Sequence, residues 1–182
     1  MLIKYFKSIS NRKLKIAKLS KFQEILNKML AEAMEELNYP KFKLCLLLGA
    51  NPNIDSKTRV GYHLVTRCAR SGEADFLETL IQFGGDVNVG SAGSGYTPLH
   101  MAAAKGLENC ILVLIKYNAD IHAIFELPDT NKGYIYKLGW TPLICACIEN
   151  KTKAAKALLN FGANPLDIND RELSALEIAK KF

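Results

Sequence analysis

The side chains with chemical potential in this sequence are few. The stretch Gly90-Ser-Ala-Gly-Ser-Gly95 has enough glycine to wrap backbone N–H groups around a phosphate, but no Lys-Ser/Thr pair follows it to hold the terminal phosphates and a metal ion. A flexible turn is the expectation. His63, His100 and His122 are the candidate general bases, yet no serine, aspartate or second histidine is spaced to complete a triad with any of them. Cys145 and Cys147 could offer two thiolates to a soft metal. Residues two apart on a helix point to different faces, however, so core thiols are expected. Glu35-Glu36 has no second carboxylate motif with which to share acid–base work, and reads as solvated surface. These residues imply no catalytic centre, no metal and no cofactor.

The five cysteines, Cys45, Cys68, Cys110, Cys145 and Cys147, are odd in number and lack C-x-x-C spacing. That excludes a disulfide framework or zinc site as the organising device and points to a reducing compartment: the cytoplasm, with the nucleus or a host-cell cytosol as variants. With 182 residues, 49% hydrophobic and 23% charged, the chain can bury a core without disulfides or metal. It holds no apolar run of about 18 residues, and the start, Met1-Leu-Ile-Lys-Tyr-Phe-Lys7, lacks the apolar stretch of a secretory signal. Neither a membrane span nor export by that route is expected.

The net charge of +6 is unevenly spread. Residues 1–28 carry Lys4, Lys7, Arg12, Lys13, Lys15, Lys18, Lys21 and Lys28 against Glu24 alone, so the remaining 154 residues sum to −1. The basicity therefore describes an N-terminal arm, not a basic binding face on the body. Leu14, Ile16 and Leu19 lie among these lysines, a composition that suits solvated disorder or contact with an anionic membrane or nucleic acid. Frequent Lys, Asn and Ile match an AT-rich genome.

The elements that must position these side chains come from an internal repeat. Gly95-Tyr-Thr-Pro-Leu-His-Met-Ala-Ala-Ala-Lys-Gly106 recurs as Gly139-Trp-Thr-Pro-Leu-Ile-Cys-Ala-Cys-Ile-Glu-Asn150, each followed by an apolar helix and a turn, Tyr117-Asn-Ala-Asp120 and Phe161-Gly-Ala-Asn164. Weaker copies are Gly61-Tyr-His-Leu-Val-Thr-Arg-Cys-Ala-Arg-Ser-Gly72 and Ser174-Ala-Leu-Glu-Ile-Ala179. Gly72 to Gly106 is 34 residues, Thr141 to Ser174 is 33, and Thr97 to Thr141 is 44, or 33 with an insertion of 11. Further back, Leu30, Ala33 and Met34 align with Leu99, Ala102 and Ala103, and Cys45-Leu-Leu-Leu-Gly-Ala50 reproduces the helix end, giving a degenerate first copy. Several in-register copies at this period mark a repeat architecture.

This pattern resembles the ankyrin-repeat family over roughly residues 28–182. Each letter also has a physical reason. Thr97 and Thr141 can cap helices that begin with Pro98 and Pro142, and Ser174 with Glu177 forms an S-x-x-E capping box. Cys68, Ala69, Ala102, Ala103, Ala146 and Cys147 are small because neighbouring helices stack there. Gly49, Gly84, Gly162 and Asn118 suit a left-handed residue at the ends of second helices, and Asn150 suits one at an inter-helix turn. Ahead of them, Leu19, Phe22, Leu26, Met29 and Ala33 recur at three and four residue steps, and Ser20 with Gln23 resembles a capping box, which predicts a helix over Lys21–Leu37.

The expected fold is an all-α ankyrin-repeat solenoid of helix-turn-helix repeats with projecting hairpin fingers and an N-terminal capping helix. Its expected parts are a basic arm (1–20), capping helix and degenerate repeat (21–61), repeat (62–95), repeat with extended finger (96–139), repeat (140–172) and terminal half repeat (173–182). The resemblance implies a non-enzymatic module, expected as a monomer, that binds a protein partner on the concave face of first helices and fingers. Aligned positions on that face are Arg67, Arg70, Met101, Ala104, Lys105, Cys145, Ile148 and Glu149, with Val89, Phe125, Tyr134 and Tyr136 from the fingers. The last three belong to Ile124–Leu138, where alternating apolar and aromatic runs flank Pro128–Gly133 as in a hairpin. A different class of function is a tether held by the basic arm to an anionic membrane or nucleic acid. A further one, again by resemblance, is an effector of an intracellular bacterium acting on host proteins.

Overall fold

The computed structural model describes residues 2–55, 62–90, 95–124, 139–168 and 173–180, with side chains from Lys18 onward. Among the described residues there are nine helices and, apart from two isolated bridges, no extended pairing. The chain divides into two units, Met1–Asn51 and Pro52–Phe182.

The first unit pairs α1 (Leu2–Glu35) with α2 (Tyr39–Leu47). No glycine or proline lies between Leu2 and Glu35, so nothing local interrupts the backbone ladder, and α1 runs on through the expected start at Lys21. Ser20 and Gln23 are therefore interior residues and form no cap. The basic arm, the capping helix and the first helix of the degenerate repeat are one continuous element. It stops at Leu37, whose φ is 52°, and Asn38 starts α2 by accepting the Lys41 N–H at 3.1 Å. Leu26, Leu30, Ala33 and Met34 of α1 are buried, as are Phe42, Cys45 and Leu46 of α2. At the far end, Gln23 donates to the Gly49 carbonyl at 2.7 Å and the Asn51 N–H donates to Asn27 at 2.8 Å.

The second unit comprises α3 (Leu64–Ser71), α4 (Ala74–Gln82), α5 (Pro98–Lys105), α6 (Glu108–Lys116), α7 (Pro142–Ile148), α8 (Thr152–Asn160) and α9 (Ala175–Ala179). The first helices pack in a row, α3 on α5, α5 on α7 and α7 on α9, while α4, α6 and α8 form a second row behind. Sequence dictates where each first helix begins. Thr141 accepts the Ile144 N–H at 3.3 Å, and Ser174 accepts that of Glu177 at 3.2 Å while the Glu177 carboxylate takes the Ser174 N–H at 2.7 Å. Thr97 caps α5 in the same way, with Pro98 and Pro142 opening their helices as expected. Asn118 and Asn150 have φ of 62° and 53°, the left-handed conformation that ends the helices they follow.

Packing explains the small residues. Cys68, Ala69, Ala102, Ala103 and Ala146 are fully buried where the first helices meet, beside fully buried Leu64 and Leu99 and nearly buried Leu143. Each such leucine contributes about 1.5–3 kcal/mol relative to an exposed one, and the small residues set the stacking distance that makes the burial possible. The turns between repeats are clipped by a polar ladder. Asn53 accepts the Asp86 N–H at 2.7 Å and donates to the Gly84 carbonyl at 2.9 Å, and one repeat later Asn88 accepts the Asp120 N–H at 2.9 Å. Buried or bent backbone groups need such partners, and side-chain amides supply them at the repeat's own period.

Candidate functional site

Successive first helices present the same three register positions side by side. Arg67, Met101 and Cys145 share one position, Arg70, Ala104 and Ile148 the next, and Ser71, Lys105 and Glu149 the third. Arg70, Lys105 and Glu149 are exposed, and Arg67, Met101, Ala104 and Ile148 are half-buried. The row therefore carries a basic portion on α3 and α5 that gives way to Ile148 and Glu149 on α7. Val89 lies half-buried in the turn after α4. Phe125, Tyr134 and Tyr136 lie outside the described residues, as does the rest of the predicted hairpin after Ile124.

Cys145 corrects one expectation. It retains 2% exposure and so offers no contact surface, because its short side chain does not reach out from the register position that Arg67 and Met101 fill with longer ones. Burial, with Glu149 adding to it, pushes its thiol up to about 12. Cys147, expected in a tightly packed slot like those of Ala69 and Ala103, is instead half-buried. It lines a cavity of about 230 Å³ with Ala146, Asn150, Lys151, Thr152, Ala155 and Ala179. The two thiols do point to different faces of α7. Among the described residues no group of three or more His, Cys, Asp or Glu could hold a metal.

The histidines have structural surroundings. His100 is fully buried, its Nδ1 lies 3.3 Å from the Thr97 N–H and 2.8 Å from the Thr97 hydroxyl, and its Nε2 lies 2.8 Å from the Trp140 carbonyl. Nδ1 thus accepts from Thr97 and Nε2–H donates to Trp140, which ties the start of α5 to the start of the next repeat. Burial lowers its pKa to about 4. His63, in the isolated bridge just before α3, sits 3.2 Å from the Asp55 carboxylate, and His122, in the turn after α6, 3.5 Å from that of Asp167.

A second set of side chains belongs to this face and was not singled out from the sequence. Tyr62, Tyr96 and Trp140 each precede a first helix at the same register position and are half-buried. The Arg70 guanidinium lies over the Tyr62 ring, 5.3 Å from its centroid, and Tyr96 meets His100 edge-on at 5.9 Å. Burial pushes the Tyr96 hydroxyl up to about 12, with Cys145, Glu149 and Tyr62 adding to it. The signal was present in Gly61-Tyr, Gly95-Tyr and Gly139-Trp, an aromatic recurring with the repeat. Basic groups beside rigid aromatic rings are suited to grip a surface rather than to transform a substrate.

Stacked helix pairs with exposed, chemically varied first-helix positions over invariantly small buried ones define a repeat recognition module. The chain belongs to the ankyrin-repeat family: the pattern described as "Ankyrin repeats (3 copies)" matches residues 30–124, and that described as "Ankyrin repeat" matches 138–171. It is 29% identical over 134 residues to "Ankyrin repeat protein nuc-2" of Neurospora crassa, covering 73% of this chain and 11% of that protein. It is 36% identical over 77 residues to "Protein phosphatase 1 regulatory subunit 27" of Homo sapiens, covering 42% of this chain and 43% of that one. With "NF-kappa-B inhibitor cactus" of Drosophila melanogaster it shares 30% over 118 residues, 65% of this chain and 22% of the relative. The chain thus spans less than half the length of each of these relatives. Among the described residues no helix is long and apolar enough to cross a membrane.

Proposed function

We propose that this chain is a non-enzymatic adaptor that grips a protein partner on the concave row of α3, α5 and α7 and the adjoining aromatic residues. The observation that carries the reading is the contrast along the first helices: Ala69 and Ala103 are buried and small, while Arg70, Lys105 and Glu149, one or two residues on from that slot, are exposed and differ in charge. Stacking needs the first set; it makes no demand on the second. Arg67, Arg70 and Lys105 favour an acidic patch on the partner, with Tyr62, Tyr96, Met101 and Ile148 giving it apolar ground to bury. That two of the relatives are named as a phosphatase regulatory subunit and an inhibitor supports regulation by binding, without naming this chain's partner.

The test is affinity capture by the intact chain beside Arg70→Glu/Lys105→Glu, both at exposed positions. Reversing two charges should reduce capture of a specific partner at least tenfold, since like-charge juxtaposition costs several kcal/mol, while melting stays near that of the parent. Equal capture by both would place recognition elsewhere. The extended finger bearing Phe125, Tyr134 and Tyr136 is proposed as an added contact, and deleting Leu127–Gly133 should then speed dissociation.

A further inference from the structure

We infer that the exposed side of α1 docks on the anionic surface of a lipid bilayer. Within the first unit, α1 buries Leu26, Leu30, Ala33 and Met34, yet Phe22, Ile25 and Met29 remain 52%, 49% and 37% exposed. At steps of three and four residues these three share one helical stripe, which adjoins the buried one. Such a ridge carries a solvation cost that burial against another surface removes.

Its flanks identify the occupant. Lys18, Lys21 and Lys28 lie within one or two helical turns along the same side, all exposed; Glu24 is one helical turn from Lys21 and Lys28, and Glu32 pairs with Lys28 at 3.7 Å. Lysine stems are long enough to lay their methylenes on apolar ground while the ammonium groups stay at the depth of lipid phosphates and carboxylates. The same helix carries, from Lys4 to Lys28, eight basic residues against Glu24 alone. Continuous helical backbone from Leu2 places these residues along one helix, about 40 Å from Leu2 to Lys28 at 1.5 Å per residue, not on a dispersed coil.

Other occupants fit less well. A second copy would set one strongly basic rod against another. Nucleic acid would satisfy the lysines but leave Phe22, Ile25 and Met29 wet, and seven of the eight basic residues are Lys, without the fork that arginine brings to phosphate and base edges. An anionic bilayer rewards both halves of the pattern, lysines by attraction and the ridge by burial at the headgroup boundary.

The test is cosedimentation of the full chain with vesicles of phosphatidylcholine alone and of phosphatidylcholine with phosphatidylserine, at low and physiological ionic strength. Parallel arms offer duplex DNA and single-stranded RNA. The expected result is binding to the phosphatidylserine vesicles, at least tenfold weaker binding to phosphatidylcholine, and partial loss with salt. Lys18→Gln/Lys21→Gln/Lys28→Gln and Phe22→Gln/Ile25→Gln/Met29→Gln should each lose at least tenfold while melting like the parent. The arms with the unaltered chain decide the matter even if a triple variant folds poorly. Absence of binding, equal affinity for both vesicles, or tighter binding to either nucleic acid at the same ionic strength overturns the inference. So does full binding by a folded apolar-ridge variant.

Discussion

Acidification should weaken the second unit through His100, and the size of the effect follows from its surroundings. Burial, opposed by the hydrogen bond to the Trp140 carbonyl and by Asp120, holds its folded pKa near 4 against an ordinary 6.5. The neutral ring is thus the form that the fold accepts. Above pH 6.5 the ring is neutral in both folded and unfolded chains and its contribution is fully present. Below 6.5 the unfolded chain takes up the proton first, so stability drains away until the folded ring protonates near pH 4. A displacement of this size is about 3 kcal/mol in total, with about 2 kcal/mol gone by pH 5. That is a substantial part of the 5–15 kcal/mol typical of a domain. Carboxylates titrate in the same range, so the informative quantity is the difference from His100→Gln, which carries no ionisable ring. Urea denaturation at pH 7, 5.5 and 4.5, followed by the fluorescence of the single Trp140, should show the parent's advantage over the variant shrinking by about 2–3 kcal/mol across that range. A constant difference, or a proton resonance of His100 that titrates near its ordinary value in the folded protein, would refute the reasoning.

Ala103 is fully buried in α5, between α3 and α7, and Ala103→Leu should cost about 1–3 kcal/mol by overpacking, read as a lower urea midpoint. Thr66, at the register position of His100, is fully buried and its hydroxyl has no hydrogen-bond partner among the described residues, so Thr66→Val should stabilise by about 1 kcal/mol, read as a higher urea midpoint, because it removes an unsatisfied polar atom at nearly constant shape. The thiols of Cys68, Cys110 and Cys145 are buried and raised by that burial, so a thiol reagent should modify Cys147 first in the native protein and all five cysteines after denaturation.

Local signals were legible where one residue type decides one backbone event. Thr97, Thr141 and Ser174 each needed only a hydroxyl and a following N–H, and Asn118 and Asn150 only a tolerance for positive φ. The small residues were legible because stacking penalises bulk at a fixed period. What escaped depends on neighbours that no single window contains. Cys145 and Cys147 exchanged roles because exposure at a register position depends on side-chain length and on what stacks beyond. The helical course of α1 before Lys21 escaped because its charge suggested solvated coil, whereas the missing signal was the absence of any breaker. Tyr62, Tyr96 and Trp140 escaped because an aromatic ahead of a helix can pack inward or face outward, and only neighbours such as Arg70 over Tyr62 decide which. The Asn53 and Asn88 ladder is likewise a contact between turns about 33 residues apart.

On the function proposed above, exposed first-helix positions, and not the stacked scaffold itself, carry recognition. The decisive measurement is the affinity for a captured partner of Arg70→Glu/Lys105→Glu beside a control that reverses as many charges on the second-helix row, Lys116→Glu/Lys153→Glu. Those control lysines are exposed, and Lys116 pairs with Glu78 at 2.6 Å on the surface, a contact of small energetic weight. The first variant should lose at least tenfold in affinity, with the control within about twofold of the parent and both melting normally. Equal loss in the two, or loss in the control alone, would contradict that function.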